Sequence, residues 1–285
     1  MNRSFPTNQE PMSFVLSLKS KAKIPVIIRV VDADPRTKNV FYKREVTMQG
    51  DRVVIVKLPT TPISAIIEIY NEVNGNKAKG VDKSFVVTSI TKHPIKTYPS
   101  AFNFTDPLVQ EWLKFRKEFA ERSSWLSAGT YNKDNTGGST YYSDNHNFRI
   151  DYFDHLMDYQ KELQHPKTKQ VRPNPNYGNP VKTPTRIGQE SKIIQVGKDK
   201  WIDYTVLGRE ALLDHEVGHG YFNHNPMDEE EADSVGIRLS MGTGMPKIEM
   251  QNAWLEVFQH TPSDMNVARH KLITKQIENF HNVYG

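Results

Sequence analysis

One stretch of the chain, REALLDHEVGHGYFNHNPMDEEEADSVGIRLSMGTG, gathers side chains that can do metal chemistry. His215 and His219 stand four residues apart. On a helix they stack one turn above the other and can share an ion. Neutral imidazoles suit zinc, at roughly 2.0–2.1 Å per Zn–N bond. Glu216 follows the first histidine directly. That offset sets a carboxylate beside the metal without making it a ligand, where a general base must sit. Zinc lowers the pKa of water towards ~7, and Glu216 would take the proton as the water attacks a carbonyl.

Two imidazoles leave such a site incomplete. The helix should stop near Asn223-His224-Asn225-Pro226, because a proline follows a run of poor helix formers. A second helix then starts at Met227 or Asp228, with acids in its first turn complementing the dipole. Running back antiparallel, it places Glu229, Ala232, Asp233 and Gly236 on one face. Small Ala232 and Gly236 let the helices approach closely, and Glu229 reaches the metal. Asp233, one turn on, can hold the second N–H of a ligand histidine and fix its tautomer. A helix starting one residue later would make Glu230 or Glu231 the third ligand.

The pattern His-Glu-Val-Gly-His (215–219) followed by Glu-x-x-Ala-Asp (229–233) resembles the gluzincin class of zinc metallopeptidases. It is most similar to the compact cytosolic and phage-associated forms of the ImmA/IrrE-like type. In that class the two histidines and the later glutamate bind zinc, and the glutamate of the first motif is the base. The resemblance assigns those roles to His215, His219, Glu229 and Glu216, with Zn2+ as cofactor and a protein or peptide as substrate. It covers about residues 208–240 and the segment just before them. Nine residues separate His219 from Glu229, which is short for the class and demands a tight turn.

Nearby side chains offer less. His224 is out of register for the longer metzincin motif, whose third histidine would fall at Asn225. Tyr221, His146 and His155 are alternative oxyanion donors that no spacing argument separates. Residues 192–204 predict a hairpin, KIIQV and KWIDYTV around Gly197-Lys198-Asp199. Either of its strands, Lys192–Val196 or Lys200–Tyr204, could be the edge that pairs with an extended substrate.

The elements that must position this site begin with a different kind of sequence. SFVLSLKS, IPVIIRVVD, VFYKREVTM, RVVIVKLP, SAIIEIYN and KSFVVTSI alternate apolar and polar residues and are rich in β-branched types. Asp34-Pro35, Gly50-Asp51, Pro59 and Asn74-Gly75 punctuate them. This predicts an antiparallel β-sandwich over 1–98, an interaction module through which assembly partners would bind. Thr105-Asp106 then caps a helix whose Leu108, Trp112, Phe115 and Phe119 share a core-facing stripe. A polar loop through Asn135-Thr136-Gly137-Gly138 leads to a strand near Phe148–Phe153. Residues 164–191 hold five prolines and predict an extended loop. Two C-terminal helices follow the site, one with Met250, Ala253, Trp254 and Val257 on a face, the other starting after Ser263-Asp264. The fold class is therefore α+β, with the sandwich followed by a zincin-like metallopeptidase domain over 99–285.

Composition narrows the setting. Charged residues make up 25% and hydrophobic ones 37%, the balance of a soluble globular protein. There are no cysteines, so any zinc must be held by imidazole and carboxylate. No window reaches the ~18 apolar residues of a membrane span, and the first residues lack a signal-peptide core. These features predict no membrane partner and a cytoplasmic location, or a virion location if the chain is phage-encoded. Net charge is only +4, and nucleic acid is an unlikely partner despite a basic stretch over 161–192. The leading expectation is a zinc-dependent peptidase. The alternative is a structural or assembly component of a bacteriophage neck or tail that carries a metallopeptidase-like domain.

Overall fold

A computed structural model describes residues 1–73, 84–134, 136–164, 168–188, 190–260 and 262–285. The turn expected at Asn74-Gly75, Asn135 of the polar loop and Pro166 of the proline-rich loop lie outside these residues. The architecture is mixed α+β, and an antiparallel sheet comes first. Its strands are β1 (Asn2–Pro6), β2 (Met12–Asp32), β3 (Val40–Leu58), β4 (Ser64–Asn71) and β5 (Val86–His93). The order is β1-β4-β2-β3, with β5 also on β2.

The first four runs read from sequence are thus two long strands, and one hydrogen-bonded sheet stands where they predict a two-sheet sandwich. Alternation explains why they pair: Met12, Phe14, Leu16 and Leu18 are buried on one face of β2, as are Val26, Ile28 and Val30 after the bend. Between Ser20 and Ile24 the register against β3 shifts, and such irregularities bend a strand. Pro25 falls just after that shift, between the segments of β2 paired by β5 (13–19) and by β4 (26–32). A proline is tolerated there because the ladder on that side is interrupted.

Helix α1 (Pro107–Arg122) starts as expected: the Asp106 side chain accepts from Leu108 N–H, and Pro107 takes the first turn. Trp112, Phe115 and Phe119 are buried against a second sheet, while Leu108 is only partly covered. That sheet has the order β10-β11-β7-β6, with β6 Ser139–Tyr142, β7 Arg149–Phe153, β10 Thr185–Ile187 and β11 Ile194–Gly197. A small ribbon of β8 (Glu162–Gln164) and β9 (Val171–Pro173) lies between β7 and β10 in sequence. The proline-rich segment therefore contributes two short strands, β9 and β10.

The hairpin predicted over 192–204 is replaced. β11 pairs antiparallel with β10 and parallel with β7, and the chain then turns into α2 (Lys198–Trp201). Trp201 and Tyr204 are both buried three residues apart, a helical spacing rather than a pleated one. Because β11 is interior, neither predicted strand is an edge; the edges of this sheet are β10 and β6.

The remaining helices are α3 (Val206–Val217), α4 (Glu229–Gly242), α5 (Lys247–His260) and α6 (Asp264–Tyr284). Thr205 caps α3, Asp228 caps α4 and Ser263 caps α6, each contributing about 1 kcal/mol. The inner face of the first sheet shares one apolar cluster with these helices, including Leu207, Ala211, Ile237, Met241, Trp254 and Ile277. Packing of this kind, rather than intrinsic propensity, holds helices in proteins. Among the described residues, no helix is long and apolar enough to cross a membrane.

Candidate metal centre

Every residue of α3 is buried, so the helix is held from all sides before it presents any ligand. After Val217 the backbone widens into a π-helical turn, Gly218–Phe222, closed by Asn223 N–H donating to Gly218 O. Such turns recur at functional sites. The chain reverses through Asn223–Asp228, and α4 returns alongside. The two helices touch at small residues. A Cβ on Gly236 would lie 3.1 Å from the His215 backbone nitrogen, and one on Gly218 would lie 3.1 Å from Ala232 O. The close approach expected from Ala232 and Gly236 is present.

That approach brings the three predicted ligands together. His215 Nε2 and His219 Nε2 are 3.1 Å apart, and Glu229 Oε2 lies 3.5 and 3.4 Å from them. Ligands around a tetrahedral zinc at 2.0–2.1 Å stand roughly 3.3 Å from one another. His215, His219 and Glu229 thus form a group that could hold a metal ion. Glu231 is turned away to His224, at 2.7 Å, and Glu230 does not belong to the group.

The outer nitrogens decide what the inner ones offer. His219 Nδ1 lies 2.8 Å from Pro226 O, a partner that can only accept, so the proton sits on Nδ1 and the Nε2 lone pair faces inward. His215 Nδ1 is 3.0 Å from Asp233 Oδ1, a carboxylate that favours a proton on that nitrogen. The Nε2 atoms of both imidazoles and a carboxylate oxygen therefore converge on one point, an arrangement that suits a cation, and Arg269 Nη1 and Nη2 approach the Glu229 oxygen and His215 Nε2 at 2.8 and 3.4 Å. The surrounding acids act on His215 too: burial works against its charged form, but Asp233 and Glu229 outweigh it and lift the pKa to about 9. A metal ion binding there displaces a proton. Burial pushes Glu229 up, but His215, His219 and Arg269 hold its pKa well below the usual carboxylate range.

Glu216 is buried at 7% exposure, and no hydrogen bond from a described residue reaches its carboxylate. Burial raises its pKa, against the pull of His215 and His219.

Arg269 on α6 belongs to the site and was not anticipated. It donates through Nε and Nη2 to the two Asp233 oxygens at 2.6 and 2.7 Å and lies 2.8 Å from Glu229 Oε2 through Nη1. The fork thus fixes both the acid beside His215 and the acid that completes the group with His215 and His219. Its plane rests over Trp254 and Phe258, and Trp254 also meets the His215 ring edge-on at 4.8 Å. A sequence signal existed. Arg269 begins the stripe that continues through Ile273, Ile277 and Phe280, all buried, and a charged residue in a core stripe requires a partner.

The alternative oxyanion donors are committed elsewhere. Tyr221 donates to Asn147 O at 2.9 Å, His155 faces Asp199 at 3.2 Å, and His146 packs on Tyr142. Comparison with models of known families, with curated proteins and with solved structures finds no match for this chain.

Proposed function

We propose that the chain is a zinc-dependent peptidase of gluzincin type, with a zincin-like catalytic part behind an N-terminal sheet that serves as an interaction module. The observation that carries this reading is the convergence of His215, His219 and Glu229 at the spacing of a zinc coordination shell, with an unengaged Glu216 beside them. When bound, zinc supplies a Lewis acid that acidifies water and polarises a carbonyl.

The chain's own residues do the rest. His215 and His219 present Nε2, and Glu229 presents Oε2. Asp233 and the Pro226 carbonyl hold the two rings in the tautomer that leaves those nitrogens free. Arg269 keeps Asp233 and Glu229 in place. Glu216 takes a proton from the attacking water and delivers it to the departing amine, a shuttle typically responsible for about 10²–10⁴ in rate. β10 is an edge of its sheet, and its Ile187 would meet a side chain placed on Gly220. An extended peptide pairing with that edge passes beside the ligand turn.

The test is Glu216→Gln. The variant should keep one zinc per chain by metal analysis and lose cleavage of a peptide library by at least about a hundredfold. Cleavage at the wild-type rate would sink the mechanism. A second reading, an assembly component of a phage particle, is favoured by Val53, Ile55 and Val86, which stand 63%, 50% and 59% exposed on the first sheet. Exposed apolar side chains grouped on a sheet mark interaction surfaces. The two roles are compatible.

A further inference from the structure

A groove of about 280 Å³ runs between α4 and α6. The two helices lie alongside each other in the same direction. Asp233 meets Arg269 near their starts. Tyr98 touches both their far halves, donating its N–H to Gly242 O and resting its ring 5.4 Å from that of Phe280. The floor is apolar: Ile237 and Phe280 are buried at 3% and 2% exposure, with Leu272 beside them. Val283 also lines the groove yet stands 67% exposed, so apolar surface continues out to solvent. A volume just under the roughly 300–1,000 Å³ of drug-sized sites calls for a slender occupant.

The charges in this groove have one sign. Arg238 on α4 and Lys275 on α6 line it, and no carboxylate does. Arg238 donates to a carbonyl of its own helix, Ser234 O at 3.4 Å, and rests 5.3 Å from the Phe102 ring centre. Among the described residues neither cation is paired with an acid. The closest acids along the two helices lie outside the groove. Glu278 follows Lys275 by three residues, and helical steps of about 100° carry it to the side away from Leu272 and Gln276. Glu230 precedes Ser234 by a full turn, beyond the lining residues. Counted from the Asp233–Arg269 contact, Arg238 is five residues along its helix and Lys275 six along the other. The two cations therefore stand at one level, one on each wall.

We propose that this groove binds a fatty carboxylate, its head held between Arg238 and Lys275 and its unbranched tail lying over Ile237, Phe280 and Val283. An Arg fork and an ammonium suit a planar carboxylate. From Lys275 to Val283 the helix rises about 12 Å, the reach of an extended chain of about eight carbons. An amine head would face two cations, and an alcohol would leave both without a counter-charge. A phospholipid, with two tails and a branched head, exceeds the volume. The groove uses no residue of the metal group, so it is independent of the peptidase reading.

The test titrates octanoate, octanol and octylamine into the full chain at neutral pH, followed by backbone amide NMR shifts. Octanoate should move the resonances of Arg238, Lys275 and Asn279 and bind at least about tenfold more tightly than octanol, the share of a charge-assisted hydrogen bond. Octylamine should bind more weakly than octanol. The double substitution Arg238→Gln with Lys275→Gln should bind acid and alcohol alike, and Asn279→Trp, which sets a ring across the groove, should remove both. If the double variant does not fold, Lys275→Gln alone, at an exposed position, should still weaken octanoate several-fold and spare octanol. Equal binding of acid and alcohol by the natural chain, tighter binding of the amine, or octanoate binding that survives these substitutions would overturn the proposal. So would the absence of any shift at about 10 mM octanoate.

Discussion

Helix α3 carries buried polar groups toward two neighbourhoods, and the two are built to opposite ends. On one side, Arg209 donates to the carbonyls of Trp201, Ile202 and Ala120 at 3.0, 2.8 and 3.0 Å and to Asn39 Oδ1 at 3.2 Å. Asp214, a little further along, collects donors from Trp112, Ser240 and Arg116. These groups meet complementary partners, and what they do is tie α1, α2 and α4 to α3. On the other side, His215 Nε2, His219 Nε2 and Glu229 Oε2 point at one another. The first arrangement closes on itself as a structural network should. The second gathers its groups around one point, with Asp233, Pro226 and Arg269 behind them. Burial and charge alone do not separate the two neighbourhoods; complementarity does.

Substitutions can break this contrast. His219→Ala should have the largest effect. Zinc in closed sites is worth about 10–16 kcal/mol, so losing one ligand costs on the order of 4 kcal/mol, about a thousandfold in affinity. A competition titration would show it, with the fold intact by circular dichroism. Retention of zinc would mean the ion sits elsewhere.

Next comes Glu249 on α5, which accepts from Lys43 N–H and the Thr205 hydroxyl at the foot of α3. Burial raises its pKa from 4.5 to about 7. A raised pKa favours the folded state at low pH, and that contribution fades as pH climbs from about 4.5 to about 7, by roughly 3 kcal/mol in all. Urea denaturation across that window should show the decline in the wild type and its absence in Glu249→Gln. Parallel curves would place the titration on another group.

Asp233→Asn should lower zinc affinity about 10–100-fold, as loss of such an orienting carboxylate does elsewhere, with a smaller change in stability. Trp112→Phe sharpens the comparison from the other side. It removes one donor to Asp214, should cost about 1–2 kcal/mol of stability, and should leave zinc affinity within about twofold. If Trp112→Phe weakened zinc as much as Asp233→Asn, the two neighbourhoods would be one.

How far the sequence disclosed all this follows the range of the interactions. The juxtaposition of His215 and His219, the reversal at Pro226, the start of α4 within a residue of Asp228 and the facing of Glu229, Ala232, Asp233 and Gly236 are local consequences of helical periodicity and capping. They were readable before any coordinates. The outer partner of His219 was not, because a backbone carbonyl has no residue-type signature. Arg269 stands 36 residues from Asp233, and only its intrusion into an apolar stripe hinted at a partner. In the sheets, alternation located the strands but left pairing open. The merging of four runs into β2 and β3, and the choice of β10 over 200–204 as the neighbour of β11, depend on contacts that no single segment contains.

The widened turn at Gly218–Phe222 has a consequence for engineering. Extra backbone in one coil acts as a phase shifter: everything beyond it is rotated relative to a regular helix. Tyr221 is thereby delivered to Phe148 and Asn147, and Phe222 to Phe102. Shortening this coil by a single residue would leave His215, Glu216 and His219 unchanged in sequence yet swing the exit of the helix out of step. Motif-preserving deletions should therefore be as damaging here as changing His215 or His219 outright.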